Sequence, residues 1–256
     1  MDRRYFAGID IGSTCAKTVV LDEDCNVVLK DLRPTGYSSV ETAEAIRGYI
    51  EENVKGNSYT AVATGYGRVS VPFAKKCVTE ISCHARGAVR IFAEENLNVI
   101  DIGGQDTKLI VIEKGTVSEF VMNDKCSAGT GRFLEVMSNT LSITPEALCT
   151  MAESGREIHI SSLCTVFAES EVIGLIGRGT PREDIAYAVI DSIVQKVKTQ
   201  SGKLRLIDGP LCLTGGLCDY KYVVELLGKA FKRDVLTTPE ARFAGAFGAA
   251  MYAMKQ

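Results

Sequence analysis

The sequence predicts an α/β protein built from two similar halves, each of which opens with a β-hairpin. Two segments match each other, IDIGSTCAKTVVL at residues 9–21 and IDIGGQDTKLIVI at residues 100–112. Each has a lysine seven residues after its aspartate and continues into an alternating, β-branched run, a pattern typical of strand, glycine turn and strand. Such a repeat indicates two related units, and 256 residues is about the length at which one core divides into two.

The glycine turn of each hairpin is suited to binding phosphate. Gly12 in the first turn, and Gly103 and Gly104 in the second, let the backbone approach an anion closely. The N–H groups that follow, from Ser13 onward, can then surround phosphate oxygens. Ser13 and Thr14 add hydroxyl donors. The two turns are therefore candidate phosphate loops.

Each hairpin also carries carboxylates that suit a magnesium ion. Asp10 in the first copy, and Asp101 or Asp106 in the second, can hold a hydrated Mg²⁺ that bridges phosphates. One copy alone would favour an ordinary hairpin turn. Two matching copies favour a functional pair of loops.

A third glycine element follows late in the chain. The segment GPLCLTGGL at residues 209–217 is typical of a buried strand that ends in Thr-Gly-Gly, with helical patterns at residues 184–198 and 220–231. A glycine pair that opens a helix at a strand end suits the close approach of a nucleoside. The chain has no Gly-x4-Gly-Lys-Ser/Thr motif and no Gly-x-Gly-x-x-Gly after its first strand, which excludes a P-loop NTPase and disfavours a Rossmann dinucleotide site.

The composition is that of an ordinary globular chain, with 24% charged and 46% hydrophobic residues. A formal net charge of -3 argues against nucleic acid as the main partner. The first residues enter a strand pattern without the apolar stretch of a signal peptide, and the apolar segment at residues 243–254 is too short to span a bilayer. We therefore expect a cytoplasmic protein that contacts no membrane.

The cysteines do not form a disulfide framework, because their number is nine, no pair has Cys-x-x-Cys spacing and nothing suggests secretion. With only two histidines, a Cys/His zinc site has few candidate ligands. Cys126, in the segment NDKCSAGTGRFLE at residues 123–135, stands before a glycine turn and a helix start. The residues alone leave it open whether Cys126 is a nucleophile, a metal ligand or a small buried residue.

The two hairpins and the strand, Thr-Gly-Gly and helix element together resemble the actin-like ATPase superfamily, which includes acetate and sugar kinases, Hsp70 and actin. The resemblance implies two ribonuclease H-like domains with an ATP cleft between them. The first domain would be residues 1–96, joined by a C-terminal helix at about 243–256, and the second would be residues 97–242. The implied nucleotide-binding residues are Gly12, Ser13, Thr14, Cys15, Ala16 and Lys17 of the first loop, Asp101, Gly103, Gly104 and Gln105 of the second, and Thr214, Gly215 and Gly216 of an adenosine loop.

Five motifs indicate one family within this superfamily. They are TGYGR (64–68), TEISCHARGA (79–88), DIGGQDTK (101–108), NDKCSAGTGRFLE (123–135) and SSLCTVFAESEVI (161–173). In this order they resemble the activator proteins, or component A, of 2-hydroxyacyl-CoA dehydratases, which belong with benzoyl-CoA reductase ATPase subunits to the BadF/BadG/BcrA/BcrD-type ATPases. The resemblance covers nearly the whole chain.

This family resemblance implies an ATP-dependent one-electron donor. Cys126 and Cys164 would each ligate a 4Fe-4S cluster shared by the two subunits of a homodimer, because such a cluster needs four thiolates. Ferredoxin or flavodoxin would supply the electron, and a 2-hydroxyacyl-CoA dehydratase or related iron–sulfur enzyme would accept it. Gln105 is the candidate for positioning the attacking water, with Asp10 or Asp106 acting through magnesium.

Two other classes of function stay open. A small-molecule kinase similar to type III pantothenate kinases would use comparable loops, but it leaves the Cys126 and Cys164 segments unexplained. A nucleotide-sensing regulator or chaperone-like scaffold would need no redox group. Of the remaining cysteines, we expect Cys77, like Cys83 and Cys149, to lie in or near the core, and Cys218, like Cys25, to lie toward the surface.

Overall fold

The computed structural model describes residues 3–161 and 164–256. Met1, Asp2 and the Ser162-Leu163 pair of the SSLCTVFAESEVI motif lie outside the described residues. The chain divides into two compact units. Unit 1 consists of Met1–Asn96, Ile112–Ser118 and Glu240–Gln256, and unit 2 consists of Leu97–Val111 and Glu119–Pro239.

Strands and helices occur in both halves of the chain, with three consecutive strands followed by four consecutive helices in its middle part. The strands are β1 (Tyr5–Ile11), β2 (Cys15–Leu21), β3 (Val27–Pro34), β4 (Tyr59–Thr64), β5 (Lys76–Cys77), β6 (Leu97–Ile102), β7 (Thr107–Glu113), β8 (Thr116–Asn123), β9 (Leu211–Gly215) and β10 (Val235–Leu236). The α-helices are α1 (Ser39–Val54), α2 (Glu80–Phe92), α3 (Gly131–Thr140), α4 (Pro145–Ala152), α5 (Thr165–Gly177), α6 (Arg182–Ser201), α7 (Lys221–Phe231) and α8 (Ala244–Ala253). The predicted α/β class is confirmed.

The sheet of unit 1 has the strand order β3-β2-β1-β4-β5. β1 runs antiparallel to β2, with Asp10 opposite Lys17, and parallel to β4. The first predicted hairpin is therefore confirmed. Its apolar side chains pack on α1, which begins after Ser38, whose side chain accepts a hydrogen bond from the N–H of Glu41.

Helix α8 packs on β1 and α2 through glycines. A Cβ atom at Gly8 in β1 would overlap the carbonyl of Ala246, and one at Gly87 in α2 would overlap the carbonyl of Ala244. Gly248 of α8 meets the backbone of α2 in the same way. The small-residue segment predicted as a C-terminal helix is thus confirmed, and its small residues let three backbones approach closely.

The second sheet has the order β10-β9-β6-β7-β8. Read from the opposite edge, this order is the same as that of the first sheet, with β6 and β7 in the places of β1 and β2. β6 runs parallel to β9, which sets Asp101 opposite Thr214 and Ile102 opposite Gly215. Every residue of β6 is buried, as expected for a strand covered on both faces. The predicted internal repeat is therefore a repeat of topology.

The helices predicted on either side of the Thr-Gly-Gly strand are present as α6 and α7. A helix, α3, begins after the Cys126 segment as predicted. Another, α5, begins directly after Cys164, which is its N-cap residue. Within the described ranges, no helix is long and apolar enough to cross a membrane.

The cysteine environments follow the prediction at some positions and not at others. Cys83 and Cys149 are buried as expected, and burial raises the pKa of each thiol to about 12. The placement of Cys77 was wrong, since it is exposed in the two-residue edge strand β5. The placement of Cys218 was also wrong, because the turn after the Thr-Gly-Gly strand buries it. Both errors depend on tertiary position, which the local sequence does not encode.

Candidate functional site

The first hairpin loop connects β1 to β2 and is held by the end of β3. The N–H of Gly12 donates to the carbonyl of Cys15 at 3.1 Å, which closes the turn. Thr35 then fixes the loop from outside, because its hydroxyl donates to the carbonyl of Gly12 at 2.7 Å and its N–H donates to the carbonyl of Thr14 at 2.9 Å. With the carbonyls so held, the loop is a fixed turn of the kind that can present N–H groups to an anion. Ser13 is half-buried.

Asp10 lies at the base of this loop and is only 4% exposed. Its Oδ2 atom is 3.9 Å from Nε2 of His84 in α2. Two glycines make room for the carboxylate: a Cβ at Gly65 would lie 2.5 Å from Oδ1, and a Cβ at Gly245 would lie 2.5 Å from Oδ2. The carboxylate therefore occupies a narrow slot in unit 1.

In unit 2, the second hairpin and the Thr-Gly-Gly strand meet at a buried ion-pair network. The hydroxyl of Thr214 donates to Oδ1 of Asp101 at 2.6 Å. Nζ of Lys108 lies 3.3 Å from Oδ2 of Asp101 and 2.7 Å from Oδ2 of Asp106. Asp101 is 1% exposed, whereas the side chain of Asp106 is 24% exposed. Asp101 thus joins the two elements, and Asp106 is the carboxylate that solvent reaches.

Glycine is required at two positions around this network. A Cβ at Gly103 would overlap the carboxylate of Asp106. Gly215 has a φ of 87°, and a Cβ there would overlap the carbonyl of Ile102. Gln105 is exposed at the tip of the turn, so its amide is available to a ligand.

The start of α3 is hydrogen-bonded to the second phosphate loop. The N–H of Gly131 donates to the carbonyl of Gly103 at 2.9 Å, and the N–H of Arg132 donates to the carbonyl of Gly104 at 2.8 Å. The first N–H groups of a helix have no partner within the helix, and here the loop satisfies two of them. The loop and α3 are therefore joined directly.

The loop that precedes α3 contains Cys126 and is tied down at several points. The hydroxyl of Thr107 in β7 donates to the carbonyl of Gly129 at 2.6 Å. The hydroxyl of Thr130 donates to the carbonyl of Ser127 at 2.6 Å. The side-chain amide of Asn123 donates to the carbonyl of Cys126 at 2.8 Å. The backbone around the cysteine is thereby fixed.

The two cysteine segments lie side by side. Ser127 follows Cys126 and Thr165 follows Cys164, and the hydroxyl oxygens of Ser127 and Thr165 are 2.7 Å apart. Cys126 is half-buried and Cys164 is exposed. The side chain of Cys164 makes no capping bond to α5. Both thiols are therefore accessible on one region of unit 2.

These thiols fit half of an iron–sulfur site. A four-iron cluster is held by four thiolates, and Cys164, as the N-cap residue of α5, lies where the helix dipole and N–H groups favour a thiolate. Among the described residues, no group of three or more His, Cys, Asp or Glu side chains is arranged to hold a metal ion. Two thiols from one chain could therefore be at most half of such a ligand set.

Helix α5 presents an exposed apolar surface beside Cys164. Ala168 and Val172 are buried, whereas four large apolar side chains point outward. They are Val166 (66% exposed), Phe167 (67%), Ile173 (56%) and Ile176 (44%). Exposed apolar side chains of this size on one helix make α5 a candidate interaction surface.

Several of these residues were missed by sequence reasoning. Thr35 and Thr107 act through single side-chain hydrogen bonds to distant loop carbonyls, for which the sequence has no local signal. Lys108 was visible as the repeated lysine of the two hairpins, yet its burial was not. His84 lies in the TEISCHARGA motif, where a lone histidine is more often a packed or hydrogen-bonded residue than a ligand.

Comparison with known proteins identifies the family. Residues 7–253 match the sequence profile of the BadF/BadG/BcrA/BcrD ATPase family. The chain belongs to this family. As a BadF/BadG/BcrA/BcrD-type ATPase it is 40% identical over 256 residues to the (R)-2-hydroxyglutaryl-CoA dehydratase activating ATPase of Acidaminococcus fermentans, with 98% of each chain covered. The predicted resemblance is confirmed.

Solved structures of BadF/BadG/BcrA/BcrD-type ATPases share the fold. Component A of the Acidaminococcus fermentans (R)-2-hydroxyglutaryl-CoA dehydratase matches with a TM-score of 0.90, 39% identity and 98% of each chain covered. The activator of the 2-hydroxyisocaproyl-CoA dehydratase from Clostridium difficile, solved with bound ADPNP, matches with a TM-score of 0.86 and 34% identity, covering 98% of this chain and 94% of that one. A ROK family glucokinase from Streptomyces griseus, at 15% identity over 98% of this chain and all of its own length, matches with a TM-score of 0.62. The actin-like fold is therefore confirmed.

Proposed function

We propose that this protein is an ATP-dependent activator that passes single electrons to a 2-hydroxyacyl-CoA dehydratase or a related iron–sulfur acceptor enzyme. Its family and its relatives, which are named as dehydratase activators, support the coarser part of this proposal. The redox part of the proposal rests on the contact between the hydroxyls of Ser127 and Thr165. This contact places the Cys164 segment beside the Cys126 loop, which is itself hydrogen-bonded to the second phosphate hairpin. Ferredoxin or flavodoxin would supply the electron.

The nucleotide would be held by the glycine loops. N–H groups after Gly12 would bind phosphate, and the Gly215-Gly216 turn would receive the nucleoside. Carboxylate oxygens are the ligands that Mg²⁺ prefers, and Asp10 and the partly exposed Asp106 would hold the ion through its waters. Gln105, exposed at the turn, would orient the attacking water. Asp101 would position Thr214 and the adenosine loop, since both of its oxygens are engaged inside unit 2.

The cluster would be shared by two copies of the chain. Cys126 and Cys164 of each copy would supply two thiolates, and the cluster would act as a one-electron carrier. The apolar face of α5 supports a homodimer, because it adjoins Cys164 and would be covered by a second copy.

Coupling between nucleotide and cluster would run through unit 2. A change in the second phosphate loop would move the start of α3, since both are joined by backbone hydrogen bonds. The Cys126 loop would move with the second hairpin because the hydroxyl of Thr107 is bonded to the carbonyl of Gly129. The Cys164 segment would move with that loop through the contact between Ser127 and Thr165. For one electron, lowering the donor potential by about 200 mV requires about 5 kcal/mol, which differential nucleotide binding to two states can supply.

The test uses protein purified without oxygen. We expect brown protein with about four iron atoms per dimer that hydrolyses ATP and, once reduced by ferredoxin, activates a dehydratase. Cys126→Ser and Cys164→Ser should lose iron and electron transfer but keep ATP affinity. Cys149→Ala is the matched control, because this buried thiol should be dispensable for iron.

Two results would contradict the proposal. One is a colourless protein that retains ATPase activity after oxygen-free purification and iron–sulfur reconstitution. The other is full iron content in the Cys126→Ser variant. A colourless protein that phosphorylates a small-molecule acceptor would favour the kinase class instead.

A further inference from the structure

His84 is a buried imidazole that faces the first phosphate hairpin. It lies in α2, within the TEISCHARGA motif, and is 7% exposed. Its Nε2 atom is 3.9 Å from Oδ2 of Asp10. This distance is longer than a direct hydrogen bond, and it makes the two buried side chains close neighbours. The imidazole is therefore placed to influence where the Asp10 carboxylate points.

The first turn of α8 holds both groups in place. A Cβ at Gly245 would lie 2.5 Å from Oδ2 of Asp10 and 2.8 Å from Nε2 of His84. A glycine at this position leaves the space that the two side chains use. Gly87 of α2 is in close contact with the backbone of Ala244, so the helix that carries His84 has little freedom to move away.

The matching aspartate of the second hairpin has a different environment. Asp101 lies beside the ammonium group of Lys108, which is 2% exposed. In the first hairpin the matching lysine, Lys17, is half-exposed on β2, and the buried side of Asp10 faces an imidazole. The repeat has thus diverged: Asp101 has a buried lysine ammonium group beside it, whereas the neighbour of Asp10 is a histidine ring.

We propose that His84 is a positioning residue that orients the Asp10 carboxylate toward the magnesium ion of the bound nucleotide. This inference rests on the proposed role of Asp10. A ring nitrogen beside one carboxylate oxygen favours one rotamer of the aspartate, and the other oxygen remains available to the loop. Ligands held in this way by a neighbouring group bind metal ions more tightly.

The test compares three substitutions that separate polarity from size. His84→Leu fills the space without a polar atom, His84→Gln carries an amide nitrogen near the position of Nε2, and His84→Asn is too short to reach it. Binding of an ATP analogue is measured by titration calorimetry with Mg²⁺ and with EDTA, alongside the Mg²⁺ concentration that half-saturates ATP hydrolysis. His159→Leu is the control, because that histidine is the other one in the chain and contacts Asp191 in unit 2.

We expect His84→Leu to raise the half-saturating Mg²⁺ concentration about tenfold, the size of effect typical for one group that supports a metal ligand. Affinity for the analogue in EDTA should change less than twofold. His84→Gln should recover most of the Mg²⁺ affinity and His84→Asn should not. The His159→Leu control should match the parent protein in both measurements.

Several outcomes would overturn the inference. One is an unchanged Mg²⁺ requirement in His84→Leu, and another is an equal loss of analogue affinity with Mg²⁺ and with EDTA, which indicates a purely structural role. If His84→Leu does not fold, equal Mg²⁺ affinities of the Gln and Asn variants decide against it. Asp10→Ala separates the two proposals: a normal Mg²⁺ response in that variant refutes the role of Asp10, whereas an impaired response with a normal His84→Leu refutes only the role of His84.

Discussion

Replacing Thr107 by valine removes the hydrogen bond that joins the second phosphate hairpin to the Cys126 loop. Thr107 is 1% exposed, and its hydroxyl donates to the carbonyl of Gly129 at 2.6 Å. Valine keeps the branched shape that suits a strand. The backbone carbonyl of Thr107, which accepts from the side-chain amide of Gln200 at 3.1 Å, is untouched. The substitution therefore perturbs a single contact.

The expected cost follows from the burial of both partners. Removing a donor from a buried carbonyl costs about 1–3 kcal/mol, because the carbonyl keeps its desolvation penalty. Gly129 is buried, so we expect a loss of about 2 kcal/mol in the free energy of unfolding. For a chain of this size that corresponds to a fall of about 4–8 °C in Tm.

Two assays measure the effect. Urea denaturation gives the free energy of unfolding, and the change in the spectrum of the reduced iron–sulfur protein on adding an ATP analogue reports coupling. We expect Thr107→Val to bind the analogue with unchanged affinity but to show a much smaller spectral change. Thr107→Ser, which restores the hydroxyl, should recover both properties.

A matched control is available in the first hairpin. The hydroxyl of Thr18 in β2 is fully buried, and the described residues offer it no hydrogen-bond partner. Thr18→Val should therefore be neutral or stabilising. If both valine variants behave alike, or if Thr107→Val keeps the full spectral change, then the Thr107–Gly129 bond does not link nucleotide and cluster.

Four other substitutions test separate parts of the structure. Asp10→Ala should abolish Mg-ATP hydrolysis with little change in Tm. Asp101→Ala should abolish hydrolysis and also lower Tm, because it disrupts a buried ion pair. Equal Tm values for the two variants would contradict this distinction. Arg156 hydrogen-bonds the Asp184 carboxylate and lowers its pKa. A carboxylate whose pKa is lowered by folding stabilises the protein above its unfolded-state pKa. Arg156→Ala should therefore lower the urea midpoint at pH 7, and the midpoints of variant and parent should converge as the pH falls below 3.8. A difference in midpoint that does not depend on pH would refute this account. Phe167→Asp should convert the proposed dimer to monomer in light scattering, and a retained dimer would remove the α5 face from the interface.

The sequence predicts the elements that local patterns encode. The two hairpins follow from alternating apolar residues around a glycine turn, and α6 and α7 follow from helical periodicity. The lysine that is repeated in the two hairpins shows that burial is not predicted in this way. Lys17 and Lys108 have the same place in the repeat, yet one is half-exposed and the other is 2% exposed, since their environments are set by elements far away in the chain.

In the candidate site, too, local motifs could be predicted from the sequence and non-local contacts could not. The glycines and the two cysteine motifs could be found as short segments, and each cysteine is followed by a hydroxyl residue in the sequence. That these two hydroxyls meet could not be predicted, because 38 positions separate Ser127 from Thr165. The approach of His84 to Asp10 is equally non-local, and it depends on how α2 and α8 pack through glycines.

The packing of α8 into unit 1 has a consequence for folding during synthesis. Phe247 and Ala250 of α8 complete a core cluster with Val19 and Leu21 of β2. Residues 97–239 leave the ribosome before this helix, and they contain all of unit 2. Because domains fold as units while the chain grows, unit 2 can reach its native state before α8 is made and packs on β1 and β2. β1 and β2 are thus made before unit 2 and completed after it, so we expect a chaperone that shields nascent apolar strands to bind residues 5–21.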